Sequence, residues 1–229
     1  MVQKFFTQHF LVMAAALSLA AAPASANHHN KKGHGKKDKM AAGDVYKIDS
    51  TASQITWKGT KAVGSAHDGT VNLKDGHLVV NGQDFKTGEF VVDMNTITNK
   101  DLASSPDYQT KLVDHLKSED FFNVTKHPES VFKIKSVKKK SEQEYIVKGE
   151  LTMIGKTQPV EFPAQISVVD NKMSGTAQVK LDRTKWGLRY GSGKFFKNLG
   201  DKMINDEFEL NLNLIANKEM TAADAAASK

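Results

Sequence analysis

Hydrophobic and polar residues alternate in short segments along most of the chain from Val45 onward. The most regular segment lies near the end, where Phe208, Leu210, Leu212 and Leu214 alternate with glutamate and asparagine. A period of two residues is typical of a β-strand that buries one face and exposes the other. The pattern therefore predicts an all-β domain with eight or more antiparallel strands.

Pairs of turn-forming residues separate these segments at strand-like intervals: Asp75-Gly76, Asn81-Gly82 and Asp170-Asn171. Such pairs join consecutive strands into antiparallel hairpins. This many strands with one polar face form either a β-sandwich or a closed barrel. Gly149 and Gly175 interrupt alternating segments and favour closure, because glycine within a strand marks bulges and tight bends.

The apolar face is predicted to point into the domain and not toward a bilayer. Most segments are shorter than the roughly 9–11 residues of a membrane-spanning strand. Only four Tyr and two Trp are available for two aromatic girdles. We therefore expect no stable membrane insertion. The predicted interior row consists of Ile55, Trp57, Phe90, Val92, Phe132, Ile134, Val147, Leu151, Val179, Phe208, Leu210 and Leu212.

One stretch, residues 111–132, departs from the alternation. Leu112 and Leu116 lie four residues apart, and Tyr108 continues the same row one turn earlier, which is helical spacing. The pair Phe121-Phe122 follows where the chain turns back into a strand. The stripe is too narrow for a free-standing helix. We therefore predict one short helix that packs on the barrel and, with the two phenylalanines, closes one flank or end of its interior.

Residues 1–26 have the features of a secretory signal peptide. An apolar run, Phe10–Ala22, precedes the small residues Ala24-Ser25-Ala26, which predicts cleavage before Asn27. The run is shorter than the roughly 20 residues that a membrane-spanning helix needs. An uncleaved N-terminal anchor is the alternative. We expect a periplasmic or secreted protein.

The segment 27–44 is rich in Lys, His and Gly and lacks hydrophobic periodicity, which predicts a disordered linker. Its histidines, His28, His29 and His34, leave metal capture as an alternative to a simple tether. The alanine-rich residues 217–229 are predicted to form a tail.

Charge and cysteine content narrow the function further. The chain has no cysteine, so neither disulfides nor thiol chemistry is available and the core alone holds the fold. The formal charge of +6 is concentrated toward the N-terminus, because residues 45–229 have 26 basic against 24 acidic residues. A nearly balanced body argues against a nucleic-acid partner.

The sequence offers no constellation typical of an enzyme. Gly191-Ser192-Gly193 lacks the spacing of a nucleophile elbow. The stretch after Asp182 mixes aromatic and cationic residues, including Arg183, Trp186 and Arg189. These residues form either a polar rim at a barrel mouth that holds a lipid head group, or a surface ion pair beside Trp186.

Five blocks in this order resemble the YceI-like, polyisoprenoid-binding family: Tyr46-x-Ile48-Asp49, then HLKSEDFF at 115–122, KHPESVF at 126–132, GELTMIGKTQPVEF at 149–162 and LDRTKWG at 181–187. The resemblance covers about residues 45–216. It implies an extended eight-stranded antiparallel barrel similar to a lipocalin, with one short helix and an apolar tunnel for an isoprenoid or quinone-like lipid. Many members have Arg-Asp shortly before the His-Leu pair, where this chain has Leu112 and Val113.

These observations predict an exported, non-catalytic protein that sequesters or transports an isoprenoid or similar amphiphilic lipid, without cofactor or metal. One alternative is an isomerase or hydrolase of isoprenoids; another is a filled-core structural or stress-response barrel with a metal-binding linker. Homodimer formation is left open. The predicted ligand-binding residues are Trp57, Phe90, Phe121, Phe122, Phe132, Val147, Leu151, Val179, Arg183, Trp186, Phe208 and Leu210.

Overall fold

A computed structural model describes residues 43–82 and 84–220 of the chain. Within these residues one α-helix, α1 (Pro106–Lys117), accompanies nine antiparallel strands in a single sheet. No helix in the described part is long and apolar enough to cross a membrane. The strands are β1 (Asp44–Ile48), β2 (Gln54–Lys61), β3 (Ala66–Asn81), β4 (Asp84–Asp93), β5 (Glu129–Lys139), β6 (Glu144–Met153), β7 (Lys156–Val169), β8 (Lys172–Asp182) and β9 (Ile204–Lys218).

The sheet closes on itself as a barrel of eight strand positions. Consecutive strands from β2 to β9 pair with one another, and β9 pairs back with β2, where Ile55 lies opposite Leu212. β1 and β2 share one position, because β1 pairs with the second half of β3 and the last residues of β9, and β2 pairs with the remainder of both. At the break between them, Asp49 Oδ1 accepts hydrogen bonds from the N–H groups of Thr51 and Ala52. The predicted eight-stranded antiparallel barrel with one helix is confirmed.

The predicted turns hold in two of three places. Asn81-Gly82 and Asp170-Asn171 join β3 to β4 and β7 to β8. The turn predicted at Asp75-Gly76 is wrong, because β3 runs through it with a bulge between Leu73 and Asp75. Glycine is required there for close approach: a Cβ on Gly76 would lie 2.9 Å from side-chain atoms of both Ile48 and Phe90.

The predicted boundaries of the folded region need small corrections. Asp44, assigned to the linker, begins β1, and Asn217 and Lys218, assigned to the tail, end β9. The two ends are held together because Lys218 Nζ lies 3.0 Å from Asp44 Oδ1. The predicted signal peptide, the remainder of the linker with its three histidines, and residues 221–229 lie outside the described residues.

All twelve residues of the predicted interior row lie inside the barrel. Ile55, Phe90, Ile134, Val147 and Val179 are buried, and the other seven pack against the core while staying partly accessible. The prediction from alternation is therefore confirmed. The partial accessibility of the seven raises the question of what they face.

Strand direction divides the connections between two ends of the barrel. The β2–β3 turn, the connection 94–128 with α1, the β6–β7 turn and the connection 183–203 lie at one end, called here the helix end. Leu116 of α1 is buried and Leu112 packs against the core, as predicted. Tyr108 is 67% exposed, contrary to its predicted place in the same row. Only the last two turns of α1 cover the barrel, whereas its first turn is solvated.

Candidate functional site

The helix end of the barrel encloses a cavity of about 460 Å³. Strands β2, β4, β6 and β9 supply most of its apolar wall, including Trp57, Val92, Leu151, Phe208 and Leu210. These are interior residues that the core leaves partly accessible. Their accessibility therefore reflects contact with an internal space and not with the outer surface.

The segment around α1 forms the remaining wall. Leu112, His115 and Leu116 reach the cavity from the helix, and Phe121 and Phe122 reach it from the turn that follows. The turn is anchored because Phe122 N–H donates to the Leu116 carbonyl at 3.0 Å. The structure thus places both phenylalanines where the sequence predicts a closing element.

The opposite half of the interior is filled. Buried side chains such as Leu78, Val80 and Met173 pack there, and the rings of Phe85 and Tyr145 meet edge to face at 5.3 Å. In the part of the barrel that the structure describes, the cavity therefore lies toward the helix end and the opposite half of the interior is packed. This arrangement differs from the filled core that was one alternative, and also from a tunnel along the whole barrel.

The twelve predicted ligand-binding residues divide between the cavity wall and the packed core. Seven line the cavity: Trp57, Phe121, Phe122, Leu151, Arg183, Phe208 and Leu210. Five are not part of its lining and belong to the packed core: Phe90, Phe132, Val147, Val179 and Trp186. Alternation identifies the inward face of a strand, but it does not show which inward residues border an open space.

Trp57 is held on the cavity wall by its polar edge. The indole N–H of Trp57 donates to the Thr98 carbonyl at 3.0 Å. Gly69 lies opposite Trp57 in β3, and a Cβ there would collide with the Thr98 carbonyl and approach the indole ring to 2.8 Å. The glycine thus permits the ring and the 94–128 connection to lie close to the strand.

Arg183 requires a correction to its predicted role as a rim group for a lipid head group. Arg183 is 4% exposed, and its guanidinium donates to four backbone carbonyls, those of Leu188, Tyr190, Ile204 and Asn205, at 2.9–3.0 Å. Burial lowers the pKa of the group, and the charge of Asp206, 3.5 Å away, opposes that shift. The guanidinium is therefore occupied in fastening the connection 183–203 to the start of β9.

Trp186 is likewise structural and not part of a rim. It is 1% exposed, and its indole N–H donates to the Leu151 carbonyl at 2.9 Å. The ring packs with Met153, Val179 and Leu181. Arg189, the third predicted rim residue, is exposed, with its guanidinium carbon 4.6 Å from the centre of the Phe195 ring.

Asp182 caps the short helical turn that contains Arg183, but it does not pair with that arginine as the surface-pair interpretation requires. Partial burial acts to raise the pKa of Asp182, but hydrogen bonds from the Thr184 hydroxyl, the Lys194 ammonium and the Thr184 N–H lower it to about 2. Lys194 Nζ lies 2.9 Å from Asp182 and 3.3 Å from Asp206. The carboxylate therefore stabilises this turn in its ionised form.

Two lysines at the mouth of the cavity were not predicted. Lys61 ends β2, Lys202 precedes β9, and both line the cavity. Within the described residues neither ammonium has an ion pair or hydrogen bond, and no Asp or Glu is part of the cavity lining. Their positions converge because the Ala62 N–H donates to the Met203 carbonyl at 2.9 Å. Only the barrel closure, which joins distant segments, reveals this pairing.

Aromatic rings cluster on one side of the mouth. His115 meets Phe121 edge to face at 5.0 Å and Tyr190 at 4.6 Å. His115 Nε2 also lies 3.1 Å from Asp120 Oδ2. Through this cluster α1 contacts the connection 183–203, and the two connections together form one flank of the mouth. Within residues 43–82 and 84–220, no three His, Cys, Asp or Glu side chains group as metal ligands.

Known proteins share this barrel. The crystal structure of Burkholderia cenocepacia BcnA matches with a TM-score of 0.60 and 16% identity, covering 74% of this chain and 99% of that one. A polyisoprenoid binding domain from Saccharophagus degradans, implicated in plant cell wall breakdown, matches with a TM-score of 0.55 and 11% identity, covering 76% and 98%. At these identities the likeness shows the fold.

Sequence relatives cover shorter stretches. A UPF0312 protein of Photorhabdus laumondii is 38% identical over 85 residues, which are 34% of this chain and 44% of that protein. A UPF0312 protein of Pseudomonas putida is 33% identical over 121 residues, which are 52% and 60%. The chain thus spans about half the length of the curated relatives it matches. A family model, the YceI-like domain, matches residues 46–216, and the chain therefore belongs to the YceI-like domain family.

Proposed function

We propose that the protein is an exported, non-catalytic binding protein that sequesters or transports an isoprenoid or similar amphiphilic lipid. The observation that carries the proposal is the cavity of about 460 Å³, whose wall is apolar and whose polar groups are concentrated at the mouth. Its volume lies within the range of about 300–1,000 Å³ of small-molecule sites. The polyisoprenoid-binding domain of Saccharophagus degradans, which shares the fold, supports the lipid class.

The cavity volume sets the size of the buried part of the ligand. An apolar cavity of about 150 Å³ in another protein binds benzene, which has six carbon atoms. In the same proportion, 460 Å³ holds roughly 18 carbons, about three to four isoprene units. A longer chain would have to extend through the mouth.

Apolar burial would supply most of the affinity. Removing on the order of 500 Å² of apolar surface from water at about 25 cal/mol/Å² gives roughly 12 kcal/mol before the entropic cost of immobilisation. Hydrophobic burial has no directionality, so the wall alone discriminates poorly among chains of similar size.

Selectivity would come from the mouth. The ammonium groups of Lys61 and Lys202 are hydrogen-bond donors there, and no carboxylate of the lining competes for them. They are suited to acceptor oxygens, as in a quinone carbonyl, a carboxylate or a phosphate. This position replaces the predicted rim around Arg183, whose donors are already used.

Export is proposed from the sequence of residues 1–26. We expect osmotic shock to release the mature protein, with the intact mass of a chain that begins at Asn27. An intact mass that retains residues 1–26, or recovery only with membranes after a salt wash, would contradict export in this form.

The experiment that tests binding is mass spectrometry of an organic extract of the purified protein. We expect one lipid class at near-stoichiometric amounts in the wild type. Gly59 lines the cavity with no atom within 4 Å of a Cβ built there, so Gly59→Leu fills space at the mouth and should lower lipid content severalfold. Lys58→Leu, on the outer face of the same strand, is the matched control and should retain lipid.

Two results would overturn the proposal. The first is an extract without stoichiometric lipid, from wild-type protein that also binds no added isoprenoid or fatty acid. The second is equal lipid content in Gly59→Leu and wild type. To test the non-catalytic part, the extracted lipid is incubated with fresh protein, and a new product that accumulates with time would favour the isomerase or hydrolase alternative.

A further inference from the structure

The segment 189–197, called here the aromatic loop, exposes large apolar side chains beside the cavity mouth. Tyr190 is 44% exposed, Phe195 45% and Phe196 49%. On the neighbouring β2–β3 turn Val63 is 65% exposed. Exposed apolar groups that lie together mark interaction sites in proteins, whereas single scattered ones do not.

The aromatic loop has a fixed backbone. Ser192 is fully buried, and its carbonyl accepts hydrogen bonds from the N–H groups of Phe195 and Phe196 at 3.1 and 3.0 Å. Arg183 holds the Tyr190 carbonyl at 2.9 Å. Because the backbone is fastened in this way, the rings project outward from a built turn.

The connection that contains the aromatic loop is strongly basic. Residues 183–203 have six basic residues and one acidic residue. Arg183 and Lys194 are engaged with Asp206 or Asp182. Four further cations remain at the surface: Lys185, Arg189, Lys197 and Lys202. The connection 94–128, at the same end of the barrel, has four basic against five acidic residues. The positive charge is therefore localised where the exposed rings are.

The aromatic loop is continuous with the mouth of the cavity. Tyr190 and Lys202 line the cavity, and so does Ile204. The β2–β3 turn is attached to the same rim through the hydrogen bond from Ala62 N–H to the Met203 carbonyl. A flat partner that contacts the rings would thus face the opening.

We propose that the aromatic loop docks the protein peripherally on an anionic lipid bilayer, with the cavity mouth toward the membrane. Phenylalanine and tyrosine rings enter the boundary between head groups and acyl chains, while lysine and arginine are attracted by anionic head groups. Charge complementarity selects a bilayer over a second copy of this chain, which would bring the same cations together. Docking goes beyond the proposed function, because it depends on the aromatic loop and does not depend on which ligand the cavity holds.

The test is co-sedimentation with vesicles of phosphatidylcholine containing 30% phosphatidylglycerol, measured against vesicles of phosphatidylcholine alone. We expect binding to the anionic vesicles, reduced severalfold in 0.5 M NaCl. The double variant Phe195→Ser/Phe196→Ser should lower the partition coefficient at least tenfold. The matched control is Val168→Ser/Val169→Ser, which removes two exposed apolar side chains at the opposite end of the barrel and should bind as wild type does.

Three results would overturn docking: no binding to anionic vesicles, equal binding to neutral vesicles, or equal binding by the Phe195/Phe196 double variant. Light scattering can give a fourth result that overturns docking. A wild-type dimer that the double variant loses would assign the rings to contact between copies. The lipid that remains in the cavity after purification is measured on the same samples. This measurement distinguishes a protein that holds a lipid in its cavity but does not bind vesicles from a protein that does neither.

Discussion

Replacing Arg183 by methionine removes the guanidinium that joins two separate segments of the helix end. In the wild type it donates to the carbonyls of Leu188 and Tyr190 on one side and to those of Ile204 and Asn205 on the other. Methionine fills a similar volume but donates no hydrogen bond. The substitution therefore tests the hydrogen bonds with little change in packing.

The magnitude follows from what is left unpaired. Each buried carbonyl that loses its donor costs about 1–3 kcal/mol when water cannot reach it, so four would cost up to roughly 12 kcal/mol. Water in the adjacent cavity reduces this cost, and relief from burying the charge of Arg183 reduces it further. Asp206 keeps Lys194 as a partner. We therefore expect a net loss of about 3–5 kcal/mol, as for other broken buried charge interactions.

The assay is urea unfolding monitored by tryptophan fluorescence, with Lys185→Met as matched control. Lys185 is exposed in the same short turn, so its substitution should change the free energy of unfolding by less than about 0.5 kcal/mol. Arg183→Lys should lose nearly as much stability as Arg183→Met, because an ammonium cannot reproduce the planar fork of donors.

Local hydrogen exchange provides the second measurement. In Arg183→Met the amides of residues 188–205 should exchange faster under native conditions, while those of β5 and β6 change little. A loss of stability below about 1 kcal/mol, with unchanged exchange in 188–205, would show that the guanidinium does not hold this connection. The structural role assigned to Arg183 would then have to be given up.

Three further outcomes are expected from other parts of the barrel. Phe121→Ala should lower the free energy of unfolding of lipid-free protein by about 1–2 kcal/mol and weaken lipid retention. Phe90→Ala, in the packed core, should lower it by about 3–5 kcal/mol. Equal losses in the two variants, with wild-type lipid content, would contradict this. Asp182→Asn should reduce the loss of stability that the wild type shows between pH 4 and pH 2. The pKa of Asp182 is lowered from 3.8 to about 2 in the folded protein, so its carboxylate stabilises the fold above pH 3.8 and loses this contribution as it is protonated. An unchanged pH profile of stability in the variant would refute this. Lys61→Gln/Lys202→Gln should lower affinity severalfold for a fatty acid at neutral pH and leave affinity for the matching alcohol nearly unchanged; equal effects on both would exclude a head-group role.

The sequence was sufficient for the barrel because a period of two records directly which side chains face inward. Every residue of the predicted interior row lies inside, from Ile55 to Leu212. Asp75-Gly76 misled because the same dipeptide serves a hairpin turn and a bulge within a long strand. Local composition cannot distinguish the two when pairing partners decide the outcome.

The candidate site was predictable only in part, for two physical reasons. Whether an inward residue borders the cavity depends on how the closed barrel packs, so Phe90 and Phe208 have the same pattern although only the second lines the cavity. The role of a polar side chain depends on its burial, which the sequence does not show. The sequence around Arg183 suggests a surface cation, but in the structure the residue is buried among backbone carbonyls. Lys61 and Lys202 have no local pattern, because barrel closure alone brings them to one mouth.

One half of the barrel interior stabilises the fold, and the other half provides the space for a ligand. The filled half, with Val80 and Tyr145, supplies close packing of the kind that holds a fold without disulfides. In the hollow half the walls lose that packing, so the connections above must be fastened by polar contacts instead. Arg183 provides these contacts for one connection, and the hydrogen bond from Trp57 to Thr98 does so for the other. A rigid frame around an unfilled apolar space allows a ligand to bind without first paying to order the mouth.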